Sequence, residues 1–146
     1  QPEVIHCNDW QTGLIPAYLK TIYKNDPFFR NVKTVFTVHS LASHGTFPKS
    51  ALEKSGLPLE LFPANGGLAG RLNFLKAGLT FADVVTTIGA KAEKGIRHSS
   101  QMDIEQLFQD RKSSIITLTT DHTRNNGLET LARQFMDIYA SLVKNG

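Results

Sequence analysis

Four short runs, EVIHC, KTVFTVHS, ADVVTTIG and SSIITLTT, constrain this chain more than anything else in it. Each is dense in apolar and β-branched residues, and none alternates cleanly between apolar and polar positions. A strand with one wet face alternates; a strand covered on both faces does not. Segments of helical spacing separate the runs. The pattern predicts an α/β fold: a three-layer, Rossmann-like parallel sheet of about four strands with helices on both faces. Crossovers should be right-handed. Ligands of such sheets bind beyond the carboxyl ends of the strands. His6 to Asp9, His39 to His44 and Gly89 fall at those ends.

Between the runs, Trp10, Leu14, Ala17, Tyr18 and Ile22 follow helical spacing. Pro16 should mark the start of that helix or bend it. The loop SLASHGTFPKS is rich in Ser, Gly and Pro, and short helices are expected over Ser50–Ser55 and Leu59–Phe62. PANGGLAG reads as an irregular loop. A firmer helix is predicted from Arg71 to Phe81, with Leu72, Leu75, Lys76 and Leu79 on one face. Helical patterns return over Ala90–His98 and Asp103–Asp110. The chain closes on an amphipathic helix over 126–146, with Leu128, Leu131, Phe135, Ile138 and Leu142 as its stripe.

At 146 residues the chain suits a single domain spanning 1–146. A net charge of +3, with Lys and Arg scattered, argues against a nucleic-acid partner. No run is long enough for a membrane helix, so no membrane partner is expected. The oligomeric state is not legible. Cys7 is the one cysteine, so no internal disulfide forms, which fits a reducing compartment. The chain opens Gln-Pro-Glu and enters a strand almost at once, which suggests a piece of a longer or processed protein.

Chemistry-bearing residues cluster at the predicted strand ends. Asp9 follows the first strand. It could aim a carboxylate into the crevice, but capping the next helix is the commoner use of Asp at that place. His39 closes the second strand, with His44 nearby. Such a histidine can bond a sugar or move a proton, or simply be held by backbone groups. His6, inside its strand, reads as a satisfied core histidine. His6, Cys7, His39 and His44 lack the paired spacing of a zinc site, so neither a metal nor a cofactor is expected. Nucleophile-elbow, Walker and dinucleotide patterns are absent. GGLAGR, Gly66–Arg71, follows no strand and is a weak phosphate candidate.

Three stretches, taken together, do resemble a known family. HCNDWQTGLIPAYLK, KTVFTVHSLASHGTFPK and GRLNFLKAGLTFADVVTTIGA resemble, in order and spacing, the bacterial glycogen synthases and plant starch synthases. The resemblance runs continuously over about Pro2–Ile88. LARQFMDIYASLV is similar, more weakly, to the C-terminal helix of such enzymes.

That resemblance implies part of the N-terminal domain of a GT-B glycosyltransferase. Such enzymes pass glucose from ADP-glucose or UDP-glucose to an α-1,4-glucan, with retention and without a metal. The implied partners are therefore an α-glucan acceptor and a nucleotide-sugar donor, and the implied compartment is the cytoplasm, or the plastid in a plant. By the same resemblance Asp9 and His39 are the catalytic candidates. Asn8, Trp10, Ser40 and His44 are the substrate-binding ones, with Trp10 expected to pack rather than react. This chain departs from the family text at Ser40, Ser43 and His44, and over Gly89–Glu93. By the same resemblance, the family's donor loop and donor domain are expected to fall outside this stretch of sequence. Residues 98–124 match the family text poorly. The expectation is a transferase-derived domain inactive on its own; the alternatives are a non-enzymatic α-glucan-binding module or a structural or engineered α/β scaffold.

Overall fold

A computed structural model describes residues 1–61, 71–89, 107, 115–119 and 127–144. The expected helices over Ala90–His98 and Asp103–Asp110, the PANGGLAG loop and GGLAGR fall wholly or largely outside these residues.

The four apolar runs form the sheet. β1 (Val4–Asn8), β2 (Lys33–Val38), β5 (Val84–Ile88) and β6 (Ile115–Leu118) lie side by side in the order β1-β2-β5-β6. Every neighbouring pair is parallel, with Asn8 opposite Thr37, Val38 opposite Thr87, and Ile88 opposite Leu118. Five of the six β2 residues are buried, as expected of a strand covered on both faces. Two further strands, β3 (Thr46–Phe47) and β4 (Leu72–Asn73), pair as a separate antiparallel ribbon.

Successive side chains of a strand point to opposite faces, so each face acquires its own core. On one face Cys7, Phe36, Val38 and Val85 meet Leu75 and Leu79 of α3 (Phe74–Phe81). An outer cluster then joins α3 through Ala77 to Ala17 of α1 (Leu14–Lys20) and Leu52 of α2 (Lys49–Ser55). On the other face Val35 and Leu118 meet Ile138 of α4 (Gly127–Lys144), with Leu131, Phe135, Tyr139 and Leu142 around them. Below the sheet's working edge, Lys20 pairs with Asp83 at 2.6 Å, and Asp83 also accepts from the Thr34 amide at 2.7 Å. That knot ties α1 to the starts of β2 and β5.

Three expectations need correction. The helix predicted over Arg71–Phe81 begins only at Phe74, because Leu72 and Asn73 pair with β3. Asn73 then caps α3, accepting from Lys76 N at 2.7 Å. Leu128 is 81% exposed, so the stripe of α4 starts at Leu131, where the helix first meets the sheet. Trp10 and Ile22 lie outside α1: Trp10 opens a 3-10 turn over Trp10–Thr12, and Ile22 follows the helix end and is exposed. Pro16 sits in the first turn of α1, where its missing N–H costs little.

Among the described residues, no helix is long and apolar enough to cross a membrane.

Candidate functional site

The ends of β1 and β2 are adjacent because the register sets Asn8 opposite Thr37. The chain leaves β1 with the Asp9 amide donating to Thr37 O at 2.9 Å. Asp9 then takes φ 54° and ψ 177°. That conformation lies close to glycine-only territory, and holding another residue there costs about 1–3 kcal/mol. The turn points the carboxylate across to β2, where Oδ1 accepts from the backbone N–H of His39 at 2.8 Å and of Ser40 at 3.3 Å.

The capping expectation for Asp9 is thereby overturned. Its side chain makes no cap bond to the following turn. Both amides it serves belong to the loop after β2. Among the described residues no group donates to Oδ2, which leaves that oxygen able to accept from a hydroxyl.

His39 is held twice from β1. Asp9 holds its backbone, and its ring Nε2 lies 2.9 Å from Asn8 Oδ1. Asn8, His39 and Ser40 are all exposed. The Ser40 hydroxyl accepts from Ala42 N at 3.1 Å and closes the turn.

Trp10 forms the floor beside this cluster. Its ring centroid lies 6.3 Å from that of Phe47 and 6.1 Å from that of Phe74. Both contacts are tilted or edge-on, the arrangements that aromatic quadrupoles favour. Gly45, at φ +60°, lies against the indole. Carbonyls of Gly45 and His44 accept from the Phe74 and Leu75 amides, each at 3.1 Å. They so satisfy two donors left over at the start of α3. His44 is therefore tied to α3. Among the described residues no hydrogen bond joins it to Asp9 or His39, and its Nε2 is buried without a partner.

His6 lies one layer beneath, as a satisfied histidine. Its Nδ1 meets Tyr139 OH and its Nε2 meets Thr37 Oγ1, each at 2.6 Å. Thr37 Oγ1 continues to Thr86 Oγ1 at 2.6 Å. Burial, and then the nearby charge of His39, lower the His6 pKa. Cys7 is buried and its thiol is pushed up to about 11, so it remains protonated and unreactive. Among the described residues no group of three His, Cys, Asp or Glu side chains could hold a metal ion. An apolar groove beside β1, lined by Ile5, Ile15, Tyr18, Leu19, Tyr23 and Phe29, shares no lining residue with the cluster.

Sequence reasoning singled out Asp9, His39, Asn8 and Ser40, and the structure brings them together. It missed Gly45 as the contact for Trp10, because SLASHGTFPKS reads as a loop and the strand β3 that follows Gly45 forms only by pairing with β4. It also missed Tyr139 as the partner of His6, and no local pattern could have revealed it.

A sequence profile described as the starch synthase catalytic domain matches residues 1–110. The chain belongs to the starch synthase catalytic domain family. The glycogen synthase of Desulforudis audaxviator is 53% identical over 89 residues, covering 60% of this chain and 18% of that protein. The glycogen synthase of Elusimicrobium minutum is 35% identical over 133 residues, covering 89% of this chain and 26% of that protein. So long a match leaves too few residues uncovered to skip 98–124, and that stretch is part of it. This member of the family thus spans about a fifth to a quarter of the length of these curated relatives. Among solved structures, the catalytic domain of starch synthase IV from Arabidopsis thaliana, bound to ADP and acarbose, superposes with a TM-score of 0.70 at 23% identity, over 80% of this chain and 25% of that one. At that identity the likeness speaks for the fold, and it agrees with the parallel α/β architecture.

One test bears directly on the turn at Asp9. Asp9→Ala should lose about 1–2 kcal/mol, from the charge-assisted bonds to two amides. Asp9→Gly loses the same bonds but relieves the backbone strain, so it should be the more stable of the two variants. Urea midpoints measure the difference. Equal midpoints would remove strain from the account of this residue.

Proposed function

We propose that this chain is one wall of a glucosyl-transfer site, within a single domain over 1–146 that forms part of a GT-B N-terminal domain. The observation that carries this reading is the pairing of Asp9 and His39 at the carboxyl ends of adjacent parallel strands, with an Asp9 oxygen left to accept. Retaining transfer builds positive charge on the sugar ring, and a fixed carboxylate beside the ring stabilises it without needing to reorganise. In this reading Asp9 faces the transferred glucose and His39 bonds one of its hydroxyls. Ser40 shapes the loop and Trp10 supports it. His44, held against α3, acts at most on a more distant part of the substrate. The donor is a nucleotide sugar, ADP-glucose or UDP-glucose, and the acceptor an α-glucan. The cytoplasm, or a plastid, is the compartment this chemistry suits, in keeping with a single protonated thiol.

Because the chain spans so little of its relatives, we further propose that it binds glucan without transferring glucose. Maltoheptaose should bind the unchanged chain; Asp9→Ala should weaken binding about tenfold or more, the effect of losing a charge-assisted contact, and His39→Ala about fivefold to tenfold, the worth of one hydrogen bond. Incubation with ADP-glucose or UDP-glucose and maltoheptaose should give no extended chain. Binding that both variants leave untouched would remove Asp9 and His39 from the site. Measurable extension would overturn the expectation of inactivity.

A further inference from the structure

We propose that Asn8 is a positioning residue, which sets the tautomer and rotation of the His39 ring and does not itself contact sugar. This rests on the reading of His39 as a sugar-facing group. A neutral imidazole carries one N–H donor and one bare nitrogen. Which nitrogen is bare follows from the partner of the other. Asn8 Oδ1 lies 2.9 Å from His39 Nε2. That oxygen is an acceptor, so the proton belongs on Nε2 and Nδ1 is the bare nitrogen. With the His39 backbone held by Asp9 Oδ1, the residue is pinned at both ends by two consecutive residues of one strand end. Nδ1 is then presented to a sugar hydroxyl as an acceptor. An amide does this without adding charge. A carboxylate in its place would favour the imidazolium, which has no acceptor to offer.

The test is nitrogen NMR on chain labelled at histidine, with His39 assigned by its loss in His39→Gln. The neutral ring should show a protonated Nε2 and a bare Nδ1. Asn8→Leu should weaken maltoheptaose binding about fivefold to tenfold, the worth of one hydrogen bond. A protonated Nδ1 overturns the assignment. Unchanged glucan affinity in Asn8→Leu overturns the positioning role. Failure of the unchanged chain to bind maltoheptaose, with the tautomer as stated, would instead strike the sugar reading of the site.

Discussion

Gly45→Ala is expected to lose about 2–5 kcal/mol of stability, from strain and overpacking together, and to abolish glucan binding. Residue 45 sits at φ +60°. A side chain in that region is disfavoured by about 1–2 kcal/mol. The new methyl would also overlap Trp10 Cε3 and lie 2.9 Å from Cδ2 and Cζ3. Overpacking of that kind costs about 1–3 kcal/mol where the neighbour cannot move. Trp10 has little room to move, with Phe47 and Phe74 packed beside it. Displacing residue 45 would also pull its carbonyl from the Phe74 amide, and that of His44 from Leu75. The donors at the start of α3 would then be left bare. A native domain has only about 5–15 kcal/mol in hand, so the shift in urea midpoint should be large. A midpoint equal to that of the unchanged chain would mean that this loop is not seated on Trp10.

Phe36→Ala should cost about 3–5 kcal/mol, the range for deleting a fully buried aromatic. Phe36 is wholly inaccessible at the middle of the sheet. Its ring lies so close to α3 that a methyl at residue 78 would fall 2.5 Å from one of its carbons and 2.7 Å from two others. Gly78→Ala alone should therefore also destabilise, by about 1–3 kcal/mol, despite the better helix propensity of alanine. In the double variant the methyl enters space the ring has left. The combined loss should fall short of the sum by about 1 kcal/mol or more, the coupling expected of residues in contact. Strict additivity in thermal or urea unfolding would show that α3 does not rest on this ring.

Gly45→Ala and Gly78→Ala share a cause that the fold makes plain. α3 approaches the sheet closely because residue 78 has no side chain, and the loop before β3 approaches Trp10 closely because residue 45 has none. Close approach at residue 45 seats the loop that ends in His44 and Gly45 on Trp10 and on the start of α3. The register of β1 against β2 separately brings Asn8, Asp9 and His39 into one cluster.

Much of this was legible in the chain itself. Runs such as KTVFTV are apolar and β-branched on both sides of the strand, and only a strand covered twice tolerates that. The four strands, their parallel pairing and the edge where ligands bind follow from that pattern; the order β1-β2-β5-β6 came from the structure. The text around Asp9 and His39 pointed to the family before any coordinates. What sequence could not decide was partnership. Asp9 before a helix-like segment is a cap by local preference, yet its carboxylate bonds two amides about thirty positions away. Leu72 and Asn73 have helical spacing, yet β3 takes them into a ribbon. Leu128 continues an amphipathic stripe that the sheet does not reach. Tyr139 meets His6 across 133 positions. Hydrophobic period is a local property, set by how side chains repeat along one element. A hydrogen-bond partner is a property of register and crossover, and becomes definite only when β1 lies against β2 and α4 lies across both.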